Sequence, residues 1–388
     1  MIRNFEVKGR CPGALAPMMS GDGLVVRIRP RAGQVTAAQA HGIAQAAREY
    51  GNGVIDLSSR ANLQLRGVRA ETHGALLKAL DALGLLDDDP ATEARRNIVV
   101  TPFWSKSGVE PALAPALEAG LAASDLALPG KFGFAVDCGP RRVLNATPAD
   151  IRIERSDRGK LIVRADGAQF GLPIAFEQAA VVALALARWF IASGGISEGR
   201  GRMAAHIRKG AVLPAHLAGT ELPAAQAAPA TPGLVAGGAL VAMAFGSMTA
   251  DSLEKLASAA AELRVTPWRM VFLPGSDLMP TGLDIISQAN DPLLRVESCP
   301  GAPWCPQARA ETRLLARELA SHVPLGKTLH VSGCAKGCAC ARPVALTLVA
   351  TSQGYDLVCN GTASATPVVH ALSADEILSQ PARYLGGL

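Results

Sequence analysis

The feature that most constrains this chain is that it repeats itself, and a repeat decides the fold before any motif does. The run KFGFAVDC (131–138) and the run KTLHVSGC (327–334) each lead from a lysine through an extended stretch to a cysteine. PADIRI (148–153) matches PVALTL (343–348), and GKLIVRADG (159–167) matches GYDLVCNG (354–361), so each copy carries what reads as a hairpin. ARWF (187–190) and ARYL (382–385) each close a helix. The register between copies stays within 194 to 196 residues in a chain of 388. A length that alone allows two or three unrelated domains is therefore one α+β unit written twice.

The earlier parts repeat more loosely. GLVVRIR (23–29) opens a strand and leads to a helix over 36–50. GALVAMA (238–244) does the same before a helix over 249–263. Thr36 and Thr249 stand at the N-cap positions, and the strands VIDL (54–57) and RMVFL (269–273) follow. The seam, 193–233, is rich in Gly, Pro and Ala, and LPAAQAAPATPG (222–233) reads as linker. The expected organisation is a first ferredoxin-like half-domain over 1–85, a first mixed α/β module over 86–195, and a linker over 196–233. A second half-domain over 234–292 and a second module over 293–388 complete it. Two pseudo-symmetric halves enclose a cleft, a usual place for a ligand.

Composition narrows the function. Aromatic residues make up 4% of the chain, which argues against a nucleic-acid reader that stacks bases on aromatic platforms. The net charge of +5 fits a soluble protein with an anionic ligand. The longest apolar stretch, 179–192, contains Arg188 and reads as a buried helix, so no membrane span is expected. MIRNFEVKGR at the start has no apolar core of a signal peptide, and the expected compartment is the cytoplasm.

Of eight cysteines, six follow residue 298. Cys299 and Cys305 are separated by five residues, Cys334 and Cys338 by three. Four thiolates on two short loops suit a [4Fe–4S] cluster. Structural zinc, the competing reading, usually spaces paired ligands by two to four residues, and inert thiols are the third. Cys11, Cys138, Cys340 and Cys359 read as core thiols.

The quartet within a duplicated unit resembles the sulfite and nitrite reductase superfamily. Its members couple a [4Fe–4S] cluster to a sirohaem between two pseudo-symmetric halves. RANLQLRG (60–67), Arg96–Asn97 and Lys131–Phe132 resemble the family's tetrapyrrole-carboxylate contacts. Within the superfamily, CPGALAP (11–17), NGVIDLSSRANLQLRGV (52–68), TPWR (266–269) and LHVSGCAKGCA (329–339) are most similar to the precorrin-3B synthases. Two positions depart from the reductase pattern: Ala61 replaces a glutamine, and Gly133 replaces a second basic residue. Those departures fit a protein that takes the tetrapyrrole as substrate; a sirohaem-dependent sulfite or nitrite reductase is the alternative.

The resemblance implies an iron–sulfur monooxygenase acting on precorrin-3A with O2. Its ligands would be Cys299, Cys305, Cys334 and Cys338, a mononuclear non-haem iron accompanies the cluster in the family, and electrons come from a separate NADH-linked donor. GRGRM (199–203) lacks a dinucleotide fingerprint. Arg27, Arg60, Arg96, Lys131 and Arg269 are the expected substrate contacts, because arginine and lysine bind carboxylates by charge-assisted hydrogen bonds. Arg29 and Arg66 are further candidates. No catalytic side chain is singled out, and no facial triad is visible among the seven histidines. His330, four residues before Cys334 on a strand, is a candidate iron ligand or acid–base group.

Overall fold

The structure, a computed structural model, describes residues 12–386 except residue 283; Cys11 lies outside the described residues. Each half begins with a small antiparallel sheet and its helices. In the first, the strands Met18–Ser20, Gly23–Ile28, Leu63–Val68 and Val54–Leu57 lie in that order. The next strand on the sheet comes from the other half: Ser247–Thr249 pairs with Val54–Leu57, Met248 opposite Ile55. The second sheet answers in kind. Its order is Gly233–Val235, Gly238–Met243, Met270–Pro274 and Glu262–Val265, and its last strand is Gln34–Thr36 from the first half, Val35 opposite Leu263. A bare sheet edge presents unpaired N–H and C=O groups. The exchange covers one edge of each sheet with backbone of the opposite copy.

The inner faces of both sheets share one core, with Val26, Ile55 and Leu65 from one copy and Val241, Leu263 and Val271 from the other. The helices Ala37–Tyr50 and Ala250–Ala259 pack into it. Thr36 and Thr249 cap them: Thr36 Oγ1 accepts from Gln39 N at 3.1 Å, and Thr249 Oγ1 from Ser252 N at 3.1 Å. The second helix stops at Ala259, short of the 263 that its periodicity predicts. The residues after it are needed as the strand that receives Gln34–Thr36.

Duplication persists to single residues. The turns 58–62 and 266–270 hold Ala61 and Arg269 at φ of 53° and 61°. Ser58 Oγ accepts from Arg60 N and Asn62 N, and Thr266 Oγ1 from Trp268 N and Met270 N. Left-handed backbone costs an L-residue about 1–2 kcal/mol, so the two turns spend the same strain to present Arg60 and Arg269.

The two modules are mixed sheets. The first orders Ile98–Val100, Phe134–Asp137, Ile151–Arg155, Leu161–Ala165 and Leu172–Pro173; the second orders Val296–Ser298, Leu329–Ser332, Val344–Thr351, Gly354–Gly361 and Val369–Leu372. In both, the first two pairings are parallel and the last two antiparallel. The helices Glu110–Ala122 and Ala179–Ala192 cover the first, Arg313–Leu319 and Pro381–Leu385 the second. No helix among the described residues is long and apolar enough to cross a membrane.

The stretch 196–233, expected as linker, is instead strapped across the first module. Met203–Arg208 is a helix whose Met203 N donates to Asp150 Oδ1 at 2.8 Å. Further on, Ala224 N donates to Arg155 O at 2.9 Å and Arg142 Nε to Ala224 O at 2.6 Å. Ala and Pro composition carries no record of main-chain pairing, which is why it reads as linker.

Near this strap Asp137 is buried, its Oδ2 accepting from Val143 N and Leu144 N at 2.7 Å each. Burial pushes its pKa up to about 6, with Glu154 and Glu110 adding and the two N–H groups opposing. The native pKa lies above the unfolded one, so ionisation as pH rises through that window lowers stability. Asp137→Asn is expected to stabilise the protein at pH 8 by up to about 3 kcal/mol, from roughly two pKa units at about 1.4 kcal/mol each. Denaturant midpoints should show the advantage shrinking towards pH 4.

Candidate functional site

The two cysteine loops leave equivalent ends of adjacent parallel strands. Cys299 follows Val296–Ser298, and Cys334 follows Leu329–Ser332. Local hydrogen bonds fix them. Gly333 N donates to Cys299 Sγ at 3.2 Å, Arg309 N to Gly333 O at 2.8 Å, Thr312 Oγ1 to Cys299 O at 2.6 Å, and Ser332 Oγ to Cys334 O at 2.7 Å. Gly301 is at φ of 71°, and a Cβ there would stand 2.5 Å from Thr312 Oγ1, so this bend admits glycine alone.

Cys299 is buried, Cys305 and Cys334 are half-buried, and Cys338 is exposed. Burial raises the Cys334 thiol above its ordinary range; Cys299 and Cys305 push the same way and Lys336 opposes. Four thiols from two loops thus share one field, whose mutual repulsion a cationic centre would reverse. Among the described residues no three His, Cys, Asp or Glu groups converge to hold a single ion. A donor set of four cysteines spread over two glycine-bearing loops fits a [4Fe–4S] cluster, which is larger than one ion.

Facing these loops is the outer face of the first half-sheet, and it is polar. Arg27 stands opposite Gln64, and Gln64 opposite Asp56. Arg27 Nε and Nη2 donate to Gln64 Oε1 at 3.2 and 2.6 Å, while its Nη1 is buried with no partner. Arg66 donates to Asp22 at 2.8 Å, Asp56 at 3.4 Å and the Trp304 carbonyl at 3.1 Å. Ser20 Oγ and Gly21 N reach the same carbonyl at 2.8 and 3.1 Å. The residue beside Cys305 is thus held by three donors from the opposite half, and Arg313 adds a bond to Asp56 at 3.0 Å. At the other end, Arg60 Nη2 donates to Lys131 O at 2.7 Å, and Arg29 to Asn97 Oδ1. The Lys131 side chain is exposed.

The matching face of the second half-sheet is apolar. Leu240 stands opposite Phe272, on the rung that carries Arg27–Gln64 in the first copy, and Ala242 stands opposite Met270 on a neighbouring one. The loop 101–104, which follows the first strand of its module as Cys299–Cys305 does, covers it. Phe103 meets Phe272 edge-on at 5.1 Å and stacks on Trp268 at 5.9 Å. Arg264 lies 3.4 Å over the Trp104 ring and donates to Pro102 O at 2.9 Å. One pseudo-symmetric position is therefore a polar, arginine-bearing face beside the Cys305 loop, and its mate is filled with aromatic side chains.

The expected substrate contacts do not all meet there. Arg27, Arg60 and Lys131 belong to the basic face. Arg96 does not: its guanidinium is buried, paired with Asp87 at 2.7 and 2.9 Å and donating to Arg29 O at 2.9 Å. Arg269 bonds Glu297 and the Ala339 carbonyl, the latter at 2.7 Å, bracing the loop behind Cys338. Asp56, Arg66, Arg313 and the Trp304 carbonyl form a joint that motif reasoning missed. Polar residues at alternate strand positions (27, 29; 64, 66) were its signal.

The family model described as the nitrite/sulfite reductase ferredoxin-like half domain matches residues 16–83. A precorrin-3B synthase from a Sinorhizobium species is 31% identical over 423 aligned residues, covering 93% of this chain and 84% of that protein. Among solved structures, the NirA protein of Mycobacterium tuberculosis superposes with a TM-score of 0.68 over 93% of this chain and 80% of that one. At 18% identity that likeness shows the shared fold.

Arg66→Leu leaves Asp22 and Asp56 buried with fewer partners and removes one of the three donors to the Trp304 carbonyl. It is expected to lower stability by about 3–5 kcal/mol in denaturant unfolding and to speed alkylation of Cys305.

Proposed function

The chain belongs to the precorrin-3B synthase family, and from that premise we propose that it hydroxylates precorrin-3A at C20 with O2, the ring-A acetate closing a γ-lactone. One oxygen atom enters the substrate; the other leaves as water, with two electrons and two protons from an external NADH-linked donor. The observation that carries this reading is a single basic face opposite a single thiol quartet. The substrate presents eight carboxylates, and the unpartnered Nη1 of Arg27 is a donor waiting in a buried position for one of them. Arg60 and Lys131 supply further charge at the Asn97 end of the cleft.

Cys299, Cys305, Cys334 and Cys338 would hold the [4Fe–4S] cluster, which supplies the single electrons that triplet O2 requires and closed-shell side chains do not provide. The polypeptide orients the macrocycle by its carboxylates, as positioning of this kind lowers the barrier by restricting motion before reaction. The anchored Trp304 carbonyl keeps the Cys305 loop at the edge of that cleft.

A sirohaem-dependent reductase is the less favoured reading, and Gly133 is the reason. The reductases place a basic residue there, whereas a Cβ at Gly133 would sit 3.1 Å from Asn97 O and 3.3 Å from Arg60 Nη1. A side chain there would need Asn97 O and the Arg60 guanidinium to give by a few tenths of an ångström.

Protein purified without oxygen, then given precorrin-3A, reductant and air, is expected to yield a product heavier by one oxygen atom. An intense Soret band in the purified protein would overturn the reading in favour of sirohaem, and zinc without acid-labile sulfide would overturn both. Cys305→Ser should give folded protein that has lost its brown absorption and labile sulfide. Arg27→Leu should weaken substrate binding about 10- to 100-fold, the loss of one charge-assisted hydrogen bond, read by titration of substrate absorbance.

A further inference from the structure

His330 is fully buried, yet neither Nδ1 nor Nε2 has a hydrogen-bond partner. An imidazole N–H left so costs about 1–3 kcal/mol, which calls for an acceptor that the surrounding polypeptide does not provide. The neighbours on its row of the sheet are Glu297 and Thr347. Glu297 is engaged by Arg269, and Thr347 Oγ1 donates to Gly361 O at 3.2 Å. The ring lies instead under the second cysteine loop. A Cβ at Gly337, at φ of 62° between Cys334 and Cys338, would stand 3.6 Å from His330 Cε1. Burial first, then the Arg269 charge, lowers the imidazole pKa to about 4, so at neutral pH the ring is uncharged and carries one N–H. The copy without the quartet has Ala135 on the equivalent row, paired with Arg152 as His330 is with Thr347.

We propose that His330 is an N–H donor to a sulfur of the Cys299–Cys305–Cys334–Cys338 centre and that this bond raises the centre's reduction potential. It rests on the reading of the quartet as cluster ligands. Hydrogen bonds to cluster sulfurs stabilise the more negative, reduced state, and a neutral imidazole supplies one without adding charge. His330 acts through the thiol centre and is a positioning residue.

The test is an EPR-monitored redox titration of the anaerobically purified full chain, with iron and acid-labile sulfide measured first. His330→Leu is expected to retain iron and sulfide and to titrate at a more negative potential. His330→Gln, which keeps an N–H, is expected to return towards the parent value. An unchanged potential in His330→Leu overturns the proposal, as does an equal shift in both variants, which would mark a packing effect. Should the leucine variant lose its iron, pulsed EPR of the parent protein labelled with 15N-histidine decides. A weak 15N coupling to the reduced centre supports the hydrogen bond. No coupling, or one as large as that of a metal-bound nitrogen, overturns it. A parent protein without iron and sulfide overturns the cluster reading itself, a result distinguishable from failure of His330 alone.

Discussion

Everything else in this molecule depends on the reciprocal exchange of two short strands. Ser247–Thr249 completes the first half-sheet and Gln34–Thr36 the second. Each strand is three residues long, so the backbone hydrogen bonds it contributes are few. Their effect is geometric. They fix the angle between the half-sheets, and that angle sets which module loop lies over which sheet face. Hydrophobic burial across Val26, Ile55, Val241 and Val271 then holds the arrangement, but apolar packing alone is non-directional and would not choose it.

From that frame the two copies diverge in chemistry while keeping their geometry. Arg27 and Gln64 occupy the rung where the other copy has Leu240 and Phe272. The loop over the polar face carries cysteines, and the loop over the apolar face carries Phe103 and Trp104. Each loop matches the face it covers, since a charged face under an aromatic loop would leave buried groups unpaired. Filling one position and opening the other are complementary halves of one change.

The architecture was largely legible from the residues. Proline-led hairpins, threonine caps and the constant register placed the modules and most strands, because these are local signals repeated twice. The cysteine loops were legible too, since thiol spacing is short-range. What escaped was long-range. The pairing of Val35 with Leu263 leaves no local mark. The bidentate bond of Arg96 to Asp87 turned an expected substrate contact into an internal ion pair, and composition hid the strap that pins 196–233 to the first module. Arg66 was recognised as a candidate for the ligand, but its tie to Trp304 depends on a loop more than two hundred residues away.

The exchanged strands also bear on how such a chain came to exist. Two identical subunits related by a twofold axis would trade the same arms through an isologous interface, and the fused chain keeps that geometry. In a symmetric dimer every substitution appears twice, so an arginine that opens one cleft opens both, and an aromatic loop that seals one seals both. Joining the copies in one polypeptide separates their fates. The strap across the first module is thus more than a tether: a covalent link between copies is what allows a symmetric frame to hold one working cleft and one solid brace.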